Sequence, residues 1–304
     1  MNNFLTRDFL SRLYEARPRQ KKSIEKILQA EFEKADFEEL ESVLSFYTDQ
    51  YGMEYVVDSY LTILDDTATE TMYFLQNGRY RRSTFAEVDQ LVYDNPDYMK
   101  RYMIGLAISD YLWTSHLKIT HWFKGLIAQN GGAERYLEIG PGHGHYFLEA
   151  VQAGGFAHYD AIDISDASIE QTKAFLKKRL PDVLECGKVS VFKQDCYSYE
   201  PDSKYDMIAI AEVLEHLERP EEMVERAYSL LNPGGRLYVT VPVNAPEIDH
   251  IHLFRTIREV EDLITESGFE ITDRCYAVEG GMDPVKAERQ KRAIIVGLLG
   301  VKKS

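Results

Sequence analysis

The 304-residue sequence lacks several features that would place the protein in a specialised class. It contains no run of about 18 uncharged apolar residues, the length that a membrane-spanning helix needs. Arg7 and Asp8 stand where a secretory signal peptide has its apolar run. The three cysteines, Cys186, Cys196 and Cys275, are scattered without CxxC spacing, which predicts neither a zinc cage nor a disulfide framework. We therefore expect a cytoplasmic protein with reduced thiols and no membrane contact.

Positive charge is also scarce. The sequence has 35 lysines and arginines against 50 aspartates and glutamates, a formal net charge of −15. Such a surface repels phosphate backbones, so we expect no nucleic-acid partner. Hydrophobic residues make up 44% and charged residues 28%, as is usual for a folded globular chain. Tyrosine is plentiful, with 20 residues, and it commonly lines pockets that need an apolar face with a polar tip.

Helical patterns alone occupy the sequence before residue 130. Apolar residues recur at helical spacing in the stretches that begin at Ile24 and Leu40. Asn95 and Pro96 form a typical helix start, with an N-cap followed by proline at the first helical position. One long helix is predicted over residues 98–127, because no proline interrupts it, and the glycines of residues 130–132 would end it. Residues 1–130 are therefore predicted to form an all-α domain.

From residue 131 to 304 the pattern predicts strands that alternate with helices. This alternation indicates an α/β fold with a doubly wound sheet, which binds ligands at the carboxyl ends of its strands. No helix is predicted between the last two strands, which are therefore expected to be antiparallel. The predicted strands are 136–139, 158–164, 189–192, 207–211, 236–241, 269–278 and 293–301, and the predicted helices are 145–153, 168–180, 220–231 and 256–267.

A glycine loop and three acidic residues mark the carboxyl ends of the first three strands. Gly140, Gly142 and Gly144 have the spacing G-x-G-x-G, which is not the G-x-G-x-x-G of dinucleotide sites but still allows a ligand to approach the backbone closely. Glu138 would repel a phosphate and suit a cation. Two further carboxylates could accept from a nucleoside: Asp163 from both ribose hydroxyls and Asp195 from an adenine amino group. A nucleoside attached to a cationic chain fits this set better than NAD, unless the acids only cap helices.

Five segments together resemble the class I S-adenosylmethionine (SAM)-dependent methyltransferases, with small-molecule enzymes as the most similar members. The resemblance covers roughly residues 132–304. It implies a Rossmann-like, seven-stranded sheet with an antiparallel last strand. It also implies that the three glycines contact the methionine part of SAM, Asp163 and the adjacent Ile164 the nucleoside, and Asp195 with Cys196 the adenine. The segments are residues 137–144, 161–163, 194–196, 205–217 and 231–242.

The chemistry that the resemblance implies is an in-line displacement at the SAM methyl group, for which a base is needed only if the acceptor must lose a proton. Glu212 follows the fourth strand directly, where it would lie beside the cofactor, and His216 could act as the base, a common role of histidine. His252, like His250, follows the fifth strand. We take Glu212, His216 and His252 as candidate catalytic residues, although His216 could also be a packed histidine.

The order Glu212, Glu215, His216 also resembles the magnesium-assisted RNA-end 2′-O-methyltransferases. Neither His250 nor His252 has the expected offset for their later histidine, and no basic-aromatic RNA platform is visible. This enzyme type is therefore an alternative only, and no metal ligand is predicted.

The predicted helix of residues 98–127 supplies candidate acceptor-binding residues. Tyr98 and Tyr102 share one face, and Trp113 and His116 share another. Aromatic faces there could line an acceptor pocket and stabilise a sulfonium, with plain helix packing as the alternative. The basic residues 79–82 could bind an acidic acceptor group or form a solvated turn. Residues 1–130 are thus predicted to be a lid that binds the acceptor.

The sequence therefore predicts a methyltransferase that uses SAM to methylate an O, N or C atom of a small molecule. One alternative keeps SAM but transfers its aminocarboxypropyl group or cyclises it, and another is a SAM-binding module without catalysis. A homodimer is a candidate assembly.

Overall fold

The computed structural model describes residues 3–129 and 133–303 of the chain. In these ranges the part before the first strand is helical, as predicted, and the predicted helix end at residues 130–132 lies outside them. No helix in the described ranges is long and apolar enough to cross a bilayer. The helices before the sheet are α1 (Phe4–Ala16), α2 (Lys21–Ala30), α3 (Lys34–Tyr51), α4 (Met53–Asn77), α5 (Phe85–Val88), α6 (Pro96–Leu112) and α7 (Thr114–Ala128).

The long helix predicted over residues 98–127 is wrong, because the chain breaks at Trp113 into α6 and α7. Trp113 has an extended backbone (φ −111°, ψ 125°) and precedes the first turn of α7. Its indole N–H donates to the Tyr60 hydroxyl at 3.1 Å, and its ring packs edge-on against His116. These contacts with α4 and α7 hold the break without a proline. The predicted start of α6 is confirmed, since the Asn95 side chain accepts from the Tyr98 N–H.

The described strands form one seven-stranded sheet in the order β3-β2-β1-β4-β5-β7-β6. The first five strands are parallel, and β7 runs antiparallel between β5 and β6, which confirms the predicted sheet with its reversed last strand. The strands are β1 (Ala133–Ile139), β2 (Phe156–Asp163), β3 (Val189–Lys193), β4 (Tyr205–Ala211), β5 (Leu231–Val243), β6 (Phe269–Val278) and β7 (Ile294–Lys302). The helices among them are α8 (His145–Ala153), α9 (Asp166–Arg179), α10 (Pro220–Leu230), α11 (Ile257–Glu266) and α12 (Pro284–Arg289).

Two predictions about the second half of the sheet are wrong, the bounds of the fifth strand and the absence of a helix between the last two strands. Strand β5 begins at Leu231 and continues to Val243, so that residues 232–235 and Pro242 lie inside it. Proline is tolerated there because the pairing of β5 with β4 stops at Thr240, and Pro242 faces only Ile295 of β7. The short helix α12 also lies between β6 and β7, where no helix was predicted.

Helix α7 packs on the sheet, and buried residues of α3, α6 and α7 belong to the same hydrophobic core as residues of the sheet. Trp122 of α7 lies over Gly297 of β7, where a side-chain Cβ would come within 2.5 Å of the indole. Phe123, the next residue of α7, packs edge-on against Tyr238 of β5 with ring centroids 4.8 Å apart. Helix α7 therefore covers β5 and β7 on one face of the sheet, and Asp110 of α6 reaches His145 after the first strand.

Candidate functional site

The loop that follows β1 is built around glycine. Gly140, Gly142 and Gly144 have φ values of 72°, 54° and 84°, which other residues rarely adopt. A Cβ at Gly140 would lie 2.7 Å from Val213, whereas a Cβ at Gly142 would meet no atom within 4 Å. The loop is thus tight against the segment after β4 and open at Gly142, so a ligand can approach the backbone there.

Glu138 lies buried in β1, just before this loop, with 2% of its surface exposed. Burial raises the pKa of its carboxyl group to about 8, although the Tyr136 hydroxyl donates to it at 2.7 Å. The carboxyl group therefore keeps its proton near neutral pH. A cation close to Glu138 would favour its carboxylate form, which is the partner that the sequence predicts for this residue.

Asp163 ends β2 with its carboxylate fixed by two donors. The Ser165 N–H donates to Oδ1 at 2.9 Å, and the Ser168 hydroxyl lies 2.6 Å from Oδ2 and 3.1 Å from the Gly142 carbonyl. Burial raises the pKa of this carboxyl group. These contacts hold Asp163 next to the glycine loop. The adjacent Ile164 is 55% exposed, unusually open for an isoleucine, and is available to cover an apolar ligand surface.

Asp195 and Cys196 follow β3. The Asp195 carboxylate is exposed, and its Oδ1 accepts from the Tyr197 N–H at 2.9 Å. One of its two oxygens therefore caps the next turn, as the alternative interpretation of these acids proposed. Cys196 is buried, and burial raises the pKa of its thiol to about 12. The thiol therefore stays neutral and apolar in character.

Glu212 follows β4 in a left-handed conformation, with φ 52°, which is uncommon for a residue with a side chain. Its N–H donates to the Thr240 backbone and hydroxyl oxygens at 3.2 and 3.1 Å, which holds this conformation. Its Oε1 is buried and has no hydrogen-bond partner among the residues that the structure describes, and burial raises the pKa of its carboxyl group. Because Val213 contacts Gly140, Glu212 lies beside the glycine loop.

Glu215, His216 and His250 form a cluster close to Glu212. Glu215 is fully buried, and Oε1 lies 3.7 Å from His216 Nε2 and 3.8 Å from His250 Nε2. The two imidazole rings are 5.1 Å apart. His250 thus joins the residues after β4, because the loop of residues 244–254 folds back and donates two backbone N–H groups, from Ile251 and His252, to the Glu215 carbonyl.

The ring of His252 lies outside this cluster. It packs against Phe254 with centroids 4.5 Å apart, and Glu221 and Glu259 are the charged groups that act on it. Of the three candidate catalytic residues, the structure therefore brings together Glu212 and His216.

Two of the candidate acceptor-binding residues connect α6 to its neighbours, Tyr102 to the 244–254 loop and Tyr98 to α4. Tyr98 and Tyr102 stack with centroids 5.9 Å apart. The Tyr102 hydroxyl donates to Asp249 at 2.7 Å, and the Tyr98 hydroxyl donates to Asp66 at 2.6 Å. Both rings thus point to the side of α6 that faces His250 and its loop.

The rings of Trp113 and His116 contact each other across the break between α6 and α7, and both are held by neighbouring helices. His116 Nδ1 lies 3.0 Å from the Ser109 hydroxyl, and burial lowers the pKa of its imidazole to about 4. His116 is therefore neutral near pH 7.

The basic residues 79–82 are not merely a solvated turn. Arg81 and Arg82 both pair with Glu70, at 3.0 and 3.4 Å, and Arg82 also donates to the Ile248 carbonyl at 2.9 Å. These arginines link α4 to the 244–254 loop.

Sequence reasoning missed one buried charge network. Asp110 of α6 lies 2.7 Å from His145 and 3.6 Å from His143 of the glycine loop. Burial alone would lower the pKa of His145, but hydrogen bonds with Asp110 and Glu149 outweigh it and raise the pKa to about 9. An aspartate within an otherwise apolar helix face was the available signal, since a buried charge needs a partner.

Comparisons with known proteins agree with this geometry. Residues 114–273, more than half of the chain, match the family described as "Methyltransferase domain". The ubiquinone/menaquinone biosynthesis C-methyltransferase of Methylobacterium nodulans is 30% identical over 122 residues, which cover 39% of this chain and 46% of that protein. The ubiquinone biosynthesis O-methyltransferase of Coxiella burnetii is 26% identical over 103 residues, which cover 34% of this chain and 41% of that protein. The chain thus matches less than half the length of these curated relatives.

Among solved structures, an O-methyltransferase family protein from Burkholderia thailandensis has a similar fold. It aligns with a TM-score of 0.52 at 11% sequence identity, over 82% of this chain and 72% of that chain. This alignment extends beyond the sheet into the helical part.

Proposed function

Since the chain belongs to the class I SAM-dependent methyltransferase family, we propose that it transfers the methyl group of SAM to an O, N or C atom of a small-molecule acceptor. The observation that carries the proposal is Glu212, which lies beside the glycine loop with a left-handed backbone and a buried Oε1 that has no partner within the described ranges. Backbone strain of this kind persists where the surrounding structure imposes it, often at active sites.

The described residues fit SAM. Gly140, Gly142 and Gly144 would hold its methionine part, because no atom lies within 4 Å of a Cβ position at Gly142 and a ligand can approach the backbone there. Asp163 would accept from the ribose hydroxyls, for which its two donors orient it. The adenine would lie among Ile164, Asp195 and Cys196. When bound, SAM supplies an electrophilic methyl group on a sulfonium.

Glu138 and Glu212 can supply negative charge to match this cation when SAM binds. Burial raises the pKa of both carboxyl groups, so each favours its neutral form until a cation lies nearby. Glu138 lies before the glycine loop and Glu212 on the acceptor side. Glu212 or His216 would accept the proton of an acceptor that must lose one.

The acceptor would bind between α6 and the carboxyl ends of the strands. Tyr98 and Tyr102 support this location, since both hydroxyls are fixed by carboxylates beside the 244–254 loop. Trp113 and His116, at the break between α6 and α7, are further candidates for acceptor contacts. We propose that residues 1–130 act as the lid of residues 131–304, since α7 packs directly on β5 and β7.

The class of acceptor, the cellular location and the assembly of the protein are also proposals. A net charge of −15 supports a small-molecule acceptor and no nucleic-acid partner, and the scattered cysteines support a cytoplasmic location. Light scattering on the full chain distinguishes the candidate homodimer from a monomer.

Product analysis tests the function. The full chain is incubated with SAM and cell extract, and the nucleoside product is identified. S-adenosylhomocysteine is the expected product. Methylthioadenosine would instead indicate aminocarboxypropyl transfer or cyclisation, and unchanged SAM would indicate a binding module. Labelled methyl groups on the 3′ ends of RNA would support the RNA-end alternative and overturn the small-molecule acceptor.

A further inference from the structure

We propose that Glu215, His216 and His250 bind a divalent transition-metal ion that coordinates a hydroxyl oxygen of the acceptor. This inference rests on the proposed function for the role of the metal, but not for its presence. It departs from the sequence-based expectation, which included no metal ligand. It also narrows the acceptor atom to oxygen.

The two histidines present matching nitrogen atoms to one carboxylate. His216 Nδ1 lies 3.0 Å from the Asp249 carbonyl, and His250 Nδ1 lies 2.7 Å from the Ala245 carbonyl. A carbonyl only accepts, so each Nδ1 carries the proton and each Nε2 carries a lone pair. Metal-bound histidines are commonly fixed in this way by a backbone carbonyl.

Both Nε2 atoms lie near the carboxyl group of Glu215. Glu215 is fully buried, and neither of its oxygens has a hydrogen-bond partner in the described part of the chain. Burial favours the neutral form of this carboxyl group. A cation between it and the two Nε2 atoms would stabilise the carboxylate and satisfy the buried polar atoms that have no partner.

The distances suit a metal ion. The ligand atoms of these residues lie within 4.8 Å of one another, with 3.7 and 3.8 Å between Glu215 Oε1 and the two Nε2 atoms. Bonds of about 2.0–2.2 Å to a tetrahedral ion would place ligand atoms about 3.4 Å apart. Small side-chain rotations close this gap. Two imidazoles favour a transition ion over magnesium, which prefers oxygen ligands.

Three protein ligands leave coordination positions open for the acceptor. The acceptor would reach these positions from the side of the glycine loop, to which Glu212 and Val213 connect the cluster, since Val213 lies next to Gly140. A metal-bound hydroxyl loses its proton more readily. In the proposed step the hydroxyl proton passes to Glu212, the O–CH3 bond forms as the S–CH3 bond breaks, and S-adenosylhomocysteine leaves. His216 is then a ligand and Glu212 the base.

The test is a Co2+ titration of the full chain after treatment with EDTA, followed by visible absorption. We expect about one equivalent to bind with the bands of a low-coordinate site. Glu215→Gln and His250→Gln should weaken Co2+ binding by about tenfold to a hundredfold or more. His252→Gln is the matched control, because its ring faces Phe254, and it should bind Co2+ as the unaltered chain does. Azide should then change the spectrum by entering the open position.

SAM affinity, measured by calorimetry on the same proteins, separates this inference from the proposed function. Unaltered chain that binds SAM but neither Co2+, Mn2+ nor Zn2+ would overturn the metal site. Equal Co2+ binding in His250→Gln would do the same, and an unchanged spectrum with azide would overturn the role in acceptor coordination. A chain that binds Co2+ but not SAM would support the metal site and contradict the proposed function.

Discussion

The carboxylate of Asp110 lies 2.7 Å from Nδ1 of His145, the first residue of the helix that follows the glycine loop. Both side chains are buried, and the contact joins α6 of the helical part to the loop proposed to hold SAM. The Tyr111 hydroxyl lies 2.9 Å from the other ring nitrogen of His145. Two consecutive residues of α6 therefore fix the first turn after the glycine loop.

The raised pKa of His145 predicts a pH-dependent stability. The imidazole titrates at about 9 in the folded chain and near 6.5 in the unfolded chain. Below pH 6.5 both states hold the proton and the full stabilisation is present. Between pH 6.5 and 9 the unfolded chain loses its proton first, so the free energy of unfolding should fall by up to about 3 kcal/mol.

Denaturant unfolding at several pH values checks this fall. His145→Gln removes the titrating group and should show a shallower slope over the same range. Other groups such as Glu138 also contribute, so the difference between the two proteins is the quantity to compare. Parallel curves between pH 6.5 and 9 would contradict the assignment to His145.

Asp163→Ala should weaken SAM binding by about 1–3 kcal/mol, because it removes a charged acceptor of hydrogen bonds. Calorimetry with the purified protein measures the affinity. Asp166→Ala is the matched control, since Asp166 is an exposed residue of the next helix that pairs with Lys193 at 2.7 Å. Unchanged SAM affinity in folded Asp163→Ala would show that the nucleoside binds elsewhere.

Binding of SAM should release a proton from Glu138. Its pKa of about 8 keeps the carboxyl group mostly protonated at pH 7, and a nearby cation lowers that pKa. Calorimetry in buffers with different ionisation enthalpies counts the protons, and close to one should be released per SAM bound. Glu138→Gln carries no titrating proton there and should release fewer. The same count in both proteins would place the cationic part of SAM away from Glu138.

The sequence predicts the sheet better than it predicts the site. Glycines and apolar runs mark β1 and its loop, because the turn there requires left-handed backbone at Gly140, Gly142 and Gly144. The break at Trp113 could not be predicted, since it depends on a bond to Tyr60 from a different helix.

Which of His250 and His252 joins Glu215 and His216 also could not be predicted from the sequence. It follows from the fold of the 244–254 loop, in which Asn244 has a φ of 51° and its N–H donates to the Phe254 carbonyl. Consecutive backbone donors from this loop reach the Glu215 carbonyl, and His250 lies near the Glu215 side chain while His252 packs against Phe254. The spacing of the two histidines in the sequence does not determine this loop fold.

The last prediction concerns the helical part. A chain that begins at Ala133 loses α7, which covers Tyr238 of β5 and Gly297 of β7. It also loses Asp110, so His145 would keep its buried position without that partner. Exposing large apolar side chains costs about 1.5–3 kcal/mol each, and a few such losses match the whole stability of an ordinary domain.

The shortened chain should therefore unfold without a cooperative thermal transition and bind SAM weakly or not at all, which circular dichroism and calorimetry measure. A chain that begins at Pro18 is the control. It loses only α1, which contacts other helices, through Glu41 for example, rather than the sheet. That control should keep its SAM affinity, because α6 and α7 still cover the sheet and reach the glycine loop. Cooperative unfolding and full SAM affinity in the chain that begins at Ala133 would refute the proposed role of residues 1–130 as a lid.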